Sequence, residues 1–284
     1  MPRPLRVVLE RRPHTAAMID GLVPAPAGVE VEWVEVAPIN TAFRRMTDDL
    51  EFDVCEIAAG AFLLAVGGGV PIVGLPVFPL RRYPHHGLQV RRDSGIRTPA
   101  DLAGARIGTK AFSQTTGFWI RGILNRQYGV DLDGLTWVVS AQEHAPGFRF
   151  PATAEPVPGA DLPQQLRDGA LVAGLGLAVK DDAVGPLFAD LTAAERSWFD
   201  LTGAETINHT IAVRQDVLAE RPTLAAELSD WFVRSWKHAG SPVSEYGLVP
   251  ANRVTLELLL DLVREQCGAT NPLPATIDDA FVTL

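Results

Sequence analysis

The chain has 284 residues, 47% of them hydrophobic and 21% charged, a globular composition long enough for about two domains at roughly 150 residues each. Lys plus Arg number 25 against 34 Asp plus Glu, a formal net charge of −9 with no long basic run, which excludes the electrostatic footprint of a nucleic-acid-binding protein. Two cysteines, Cys55 and Cys267, form neither a disulfide framework nor a CxxC zinc pattern, and they fit a reducing compartment.

Leu5 to Leu9 is a short apolar run of the kind a buried parallel strand needs. Glu10, Arg11 and Arg12 stop it at once, whereas a secretory leader needs about 7–15 apolar residues. The expected compartment is therefore the cytoplasm. Ala16 to Leu22 is a helix candidate, and Val29 to Trp33 alternates as a half-buried strand should. Ala42 to Leu50 is helical in pattern, and Phe52 to Ile57 is the next strand. The apolar stretch Ala58 to Leu80 is broken by eight Gly and Pro residues, which predicts turns and buried strands rather than a membrane helix of about 20 residues. Within and after it, Val70 to Phe78 and Gly87 to Val90 are strand-like.

A second βαβ rhythm follows. Thr98-Pro99-Ala100-Asp101-Leu102 has the signature of a helix start, Ala105 to Gly108 of a strand, and Ser113 to Tyr128 of a helix with Ile120, Ile123 and Leu124 as its apolar set. Leu135 to Val139 is a strand, Leu162 to Asp168 a helix, and Ala170 to Val179 a strand region of small residues. Between them, Pro146 to Pro163 is long, irregular and rich in Pro and Gly, as a loop over a site would be. Thr206 to Val213 is a strand able to return to the first domain, and Leu224 to His238 and Asn252 to Glu265 are terminal helices. Alternating strands and helices predict an α/β protein with mostly parallel sheets.

Four polar clusters interrupt these apolar surroundings. Arg81-Arg82-Tyr83-Pro84-His85-His86 is either a solvated basic loop or an anion-binding edge, since a guanidinium fork matches a carboxylate. Ser113-Gln114-Thr115-Thr116-Gly117 opens a helix, and its hydroxyls and free N–H groups form either a plain cap or an anion site. Trp119 and Arg121 follow, the first with core character and the second with surface character. Glu143-His144, just after a strand, is an acid/base pair or two exposed loop residues. Asn208-His209 lies inside a β-branched run, where unpaired polar groups are costly, so it is structural or catalytic; Glu56 raises the same question. No Gly-x-Gly-x-x-Gly fingerprint, phosphate loop or His-Glu-x-x-His helix is present, so neither a nucleotide enzyme nor a zinc hydrolase is supported.

Several of these residues together resemble the 4,5-dihydroxyphthalate decarboxylase family. They are Phe52-Asp53-Val54-Cys55-Glu56, Pro76-Val77-Phe78-Pro79 with Arg81 and His85, and Ser94 to Leu102. Thr115, Trp119, Arg121 and Gly122, Tyr128-Gly129-Val130, Trp137 and Asn208-His209-Thr210 follow in the same order, so the resemblance spans about Phe52 to Val213. Where the family has aromatic-Arg-His this chain has Tyr83-Pro84-His85, leaving Arg82 or His86 to supply the missing basic group.

The resemblance implies a two-lobed type II periplasmic-binding-protein-like fold with a ligand cleft between the lobes. Lobe 1 would hold residues 1–87 and 210–284, lobe 2 residues 88–209, with crossings near Gly87 to Val90 and Thr206 to Val213. It further implies a cofactor-independent decarboxylase of a hydroxylated aromatic acid. For such a reaction His209 would be the acid or phenol partner and Glu56 an acceptor for a phenolic hydroxyl, while Glu143 and His144, which lie outside the motifs that carry the resemblance, would be the alternative acid/base pair. Arg81, Arg82 and Arg121 with Thr115 and Thr116 would hold carboxylates, and His85, His86, Trp119 and Asn208 would complete the binding set. No metal and no cofactor is expected. The expected partner is a small aromatic carboxylate, neither nucleic acid nor membrane, and a homo-oligomer is compatible with the sequence. The alternative is a non-catalytic binding protein for an organic anion, of the ABC-transporter type, using the same cleft.

Overall fold

A computed structural model describes residues 3–240 and 245–283. The chain starts as β1 (Leu5–Val8), α1 (Pro13–Ile19), β2 (Val31–Trp33), α2 (Asn40–Asp49), β3 (Val54–Ala58), α3 (Ala59–Gly67) and β4 (Ile72–Arg81). It then passes through β5 (Leu88–Arg91), β6 (Arg106–Thr109), α4 (Thr115–Arg126), β7 (Thr136–Val139), β8 (Ala154–Pro156), α5 (Leu162–Asp168), β9 (Ala173–Leu175), β10 (Val184–Pro186) and α6 (Leu191–Thr202). It returns by β11 (Ile207–Arg214) and ends in α7 (Gln215–Glu220), α8 (Leu224–His238) and α9 (Pro250–Cys267).

Two sheets result. The first has the order β2-β1-β3-β11-β4, parallel except that β11 runs antiparallel to both neighbours. The second has the order β10-β5-β9-β6-β7-β8. The short connections around residues 82–87 and 203–206 join the two lobes. All of β11 belongs to the first sheet, including Ile207, Asn208 and His209, so the strand lies across the expected boundary at residue 209.

The β11–β4 pairing is irregular for a chemical reason. His209 pairs with Leu80 and Ile211 with Leu75, so the segment Pro76 to Pro79 bulges out. Its two prolines have no N–H to give the ladder. Thr210 Oγ1 compensates by donating to the carbonyls of Leu75 (3.1 Å) and Val77 (3.3 Å).

The lobes share one apolar core. A single cluster of buried residues runs from Ile57 and Phe62 in the first lobe to Phe118, Trp137 and Leu175 in the second. Two glycines permit the close approach. A Cβ on Gly60 of α3 would lie 2.7 Å from the Phe118 ring of α4, and one on Gly122 of α4 would lie 2.6 Å from Leu262 of α9. Helix α9 therefore touches both α3 and α4, while α8 packs on α1 and β4.

Helix α3 departs from the sequence expectation of turns and strands. All of its residues from Ala59 to Ala65 are buried, so it has no polar face to give a helical period. Helices α6 and α7 and strands β8 and β10 lie outside the elements that the sequence pattern predicts. Thr98 to Leu102 forms a 3₁₀ turn with a complete capping box.

Candidate active site

The carboxyl ends of the parallel strands converge on a cleft of about 290 Å³ between the lobes, at the lower edge of the roughly 300–1,000 Å³ typical of small-molecule sites. A single substituted ring fits that size. Arg82, His86, Lys110, His144 and His209 are among its lining residues, and no Asp or Glu is. In a chain of net charge −9, a cleft lined by Arg82 and Lys110 and, among the described residues, by no carboxylate has a local field that favours an anion. Three helices begin there, α2 at Asn40, α3 after Ala58 and α4 after Gln114. Their positive dipole ends add to the same field.

Strand register builds the first wall. His209 of β11 is paired with Ala58 of β3, and Ile211 with Glu56. Glu56 and His209 are thus diagonal neighbours on one face of the sheet. Their side chains meet, with His209 Nδ1 2.6 Å from Glu56 Oε1. The second carboxylate oxygen accepts from Arg12 Nη1 at 2.7 Å and from the Glu10 backbone N–H at 3.0 Å. Glu56 is completely buried. Burial by itself raises its pKa, but hydrogen bonding and charge from His209 and then Arg12 outweigh it and hold the carboxyl at about 2. An ionised Glu56 accepts at both oxygens, so Nδ1 of His209 carries the hydrogen. Among the described residues Nε2 has no hydrogen-bond partner. Phe43 of α2 packs its ring against His209, with centroids 5.3 Å apart.

Helix α4 and the segment after β7 build the second wall. The N–H groups of Thr115 and Thr116 open α4 and lack intrahelical acceptors. Thr116 lines the cleft, and Thr115 Oγ1 accepts from the Gly60 N–H of the other lobe at 2.9 Å. Lys110 stands at the carboxyl end of β6. Asn208 also lines the cleft, and its Oδ1 accepts from the Arg82 N–H at 2.6 Å, which fixes the backbone that presents Arg82.

Several expected roles are corrected. Glu56 cannot accept from a substrate hydroxyl, because it is buried behind His209 with both oxygens committed. Glu143 and His144 are not an acid/base pair. Both oxygens of Glu143 accept backbone N–H groups at 2.7 Å, from Phe112 and Ser113, while His144 faces the cleft. Arg81 points away from the cleft, donating from Nη2 to Asn252 Oδ1 of α9 at 2.5 Å. His85 is buried against Phe188, with burial lowering its pKa to about 4 and Gln127 pulling weakly the other way. Neither of its ring nitrogens makes a hydrogen bond of good geometry. Trp119 is core, with its Nε1 donating to the Ile207 carbonyl at 2.9 Å. Arg121 is equally buried, donating to Gln266 Oε1 (2.5 Å) and the Phe112 carbonyl (2.9 Å) with its guanidinium over the Phe112 ring. Burial lowers its pKa to about 9.

His209, His144, Arg82, His86, Thr115, Thr116 and Asn208 are therefore brought together, and Arg82 and His86 are the basic residues beside the Tyr83-Pro84-His85 departure that face the cleft. Residues 146–163 contribute nothing to the cleft; part of the segment is the edge strand β8. The sequence reading missed Arg12, Asn40, Phe43 and Lys110. Arg12 and Lys110 each follow the end of a parallel strand, where ligands of α/β sheets bind, and that rule could have found them. Among the described residues no group of three or more His, Cys, Asp or Glu is placed to hold a metal ion.

No protein-family model matches the chain. A 4,5-dihydroxyphthalate decarboxylase of Comamonas testosteroni is 28% identical over 262 residues, covering 87% of this chain and 78% of that protein. Another of the same name from Pseudomonas putida is 31% identical over 127 residues, 44% of this chain and 48% of its own length. The resemblance read from the motifs is borne out by these relatives. Among solved structures, the periplasmic aliphatic sulphonate binding protein SsuA of Escherichia coli superposes with a TM-score of 0.54 at 16% identity, covering 98% of this chain and 81% of that one. A putative periplasmic sulfonate-binding protein of Methylobacillus flagellatus gives 0.57 at 11% identity, covering 99% and 91%. The fold is thus the expected two-lobed type II periplasmic-binding-protein-like one.

Proposed function

We propose that this chain, a sequence relative of two 4,5-dihydroxyphthalate decarboxylases, is a carboxy-lyase that removes CO₂ from a hydroxylated aromatic acid, 4,5-dihydroxyphthalate or a close analogue, giving protocatechuate in the first case. The observation that carries the chemistry is His209, held by an ionised carboxylate on one nitrogen and open to an anion-selective cleft on the other side.

Direct loss of CO₂ from a benzene ring would leave an sp² carbanion without resonance stabilisation. A hydroxyl para to the leaving carboxylate opens another route, since it pushes electrons to the carbon that bears the carboxylate. An acid then protonates that carbon, and CO₂ leaves as the ring regains aromaticity. His209 is the acid in this reading, because Glu56 fixes its tautomer and neutralises the imidazolium. The substrate carboxylates are held by Lys110, Arg82, His86 and the α4 N-terminus.

Two buried, unbridged cysteines support a cytoplasmic location, which cell fractionation checks. Incubation with 4,5-dihydroxyphthalate, following CO₂ and the ring product, tests the activity. Stoichiometric binding without CO₂ release would assign the cleft to ligand capture instead.

A further inference from the structure

Three imidazoles line the cleft; His86 Nδ1 is tied to the Tyr83 carbonyl at 3.0 Å, and of the other two, His209 and His144, which face it from opposite lobes, only His209 has a carboxylate behind it. The rings of His209 and His144 both pack edgewise against Phe43, with centroids 5.3 Å and 5.7 Å from it. This shared neighbour keeps the two within about 11 Å of each other, with one ring's worth of cleft beside them. From this placement we infer that His144 is the general base that takes the proton of the substrate's para hydroxyl, while His209 gives its proton to the ring carbon. The assignment rests on the decarboxylase reading above and adds the second half of its proton chemistry.

The backbone of His144 is held on both sides and its ring is left free. Its N–H donates to Ser113 Oγ at 3.4 Å, and its carbonyl accepts from Thr47 Oγ1 of α2, in the other lobe, at 3.3 Å. The preceding residue, Glu143, is fastened to two N–H groups at the start of the α4 turn. Among the described residues the His144 ring makes no hydrogen bond. The charged groups around it are cations or potential cations: Arg44 of α2, His209 of β11, and Lys110, Arg82 and His86 along the cleft. The nearby carboxylates are committed elsewhere, Asp48 of α2 to Arg44, Glu143 to backbone N–H groups and Glu56 to His209 and Arg12. Burial first, then Arg44 and His209, lower the His144 pKa, which keeps this imidazole neutral and ready to accept a proton near pH 7. Two like groups in unlike settings give the acid and the base.

The step balances. Neutral His144 breaks the phenolic O–H bond and becomes an imidazolium. The phenolate electrons move through the ring, the para carbon takes the proton of protonated His209, and a dienone bearing the carboxylate forms. The C–CO₂ bond then breaks, its electron pair restores the ring and the phenolate, and CO₂ departs. His144 returns its proton to the phenolate, and His209 is reprotonated from water. One proton is consumed and no redox change occurs.

The test compares the parent with His144→Gln, His144→Asn and His209→Ala on 4,5-dihydroxyphthalate and on a ring-fluorinated analogue whose hydroxyls are more acidic. Folding is checked by melting temperature and substrate Kd by calorimetry. With His144 as base, both His144 variants lose about 10²–10³-fold in kcat near pH 7, with Kd nearly unchanged. Fluorination, which makes the hydroxyl easier to ionise without a base, recovers much of the loss. His209→Ala is slow at every pH and gains nothing from fluorine. Folded His144 variants that keep the parent kcat, or that lose it and show no preference for the fluorinated ring, overturn the assignment. A parent enzyme that binds hydroxylated aromatic acids but releases no CO₂ overturns the decarboxylase reading, and this assignment with it.

Discussion

His209 Nδ1 stands 2.6 Å from Glu56 Oε1, across two neighbouring antiparallel strands, and the carboxylate is itself anchored by Arg12 at 2.7 Å. The arrangement depends on register. A slip of one residue in β11 would turn the imidazole to the opposite face of the sheet.

Removing either partner should therefore damage turnover more than binding. His209→Ala is expected to lower kcat by about 10²–10⁴, with Kd changing far less because the carboxylates are held by other residues. Glu56→Gln should lower kcat by a similar order by losing the anionic tautomer lock. Steady-state kinetics with calorimetric Kd values check both. Near-parent kcat in a folded His209→Ala protein would remove it as the acid.

The two adjacent arginines should separate cleanly. Arg82→Ala should weaken substrate binding roughly tenfold, the lower end for a charged hydrogen bond because this guanidinium stays in contact with water. Arg81→Ala should leave affinity alone and lower the melting temperature, because it loses the bond to Asn252 on α9. Equal affinity losses in the two variants would contradict this division.

Acid stability has two signatures. His85 has its pKa lowered from 6.5 to about 4 by burial, so the unfolded chain binds the proton more readily between those pH values. Stability should then rise with pH from about 4 to 6.5, by up to about 3 kcal/mol from this group. Urea unfolding of His85→Phe should show a flatter pH dependence there than the parent. Glu56, held at about 2 against an ordinary 4.5, contributes stability that is fully present above 4.5 and lost as pH falls towards 2. Its loss belongs to a separate, more acid window, absent in Glu56→Gln.

The lobes should behave as one body. A continuous core and the close contacts at Gly60 and Gly122 oppose hinge opening. Gly60→Ala drives a Cβ into the buried Phe118 ring and should cost about 1–3 kcal/mol. Small-angle scattering of the parent with and without substrate should give the same radius of gyration. A clear contraction on binding would show that the lobes do close.

Much of the architecture was legible in the sequence. Apolar residues at helical spacing gave the limits of α8, and apolar runs located β1, β3, β4, β7 and β11 within a few residues. Helix α3 was illegible because it is buried all round, leaving composition without period. The cleft was partly legible. Hydroxyls at a helix start, a histidine in a β-branched run and basic residues at a crossing are local patterns, and Thr115, Thr116, His209, Arg82 and His86 carry them.

Direction was not legible. Arg81 and Arg82, His85 and His86, and Glu143 and His144 are sequence neighbours that point to opposite destinations, one of each pair into the cleft and the other into the protein. Residue types offered an anion-ready set of hydroxyl, guanidinium and imidazole groups, and the family resemblance placed it near the crossings. Tertiary structure alone decided which member of each pair reaches it, and that Glu56 serves His209 instead of substrate. The reason is that orientation follows from strand register and from which buried polar groups find partners, and both are settled by segments as distant as Arg12, Glu56 and His209.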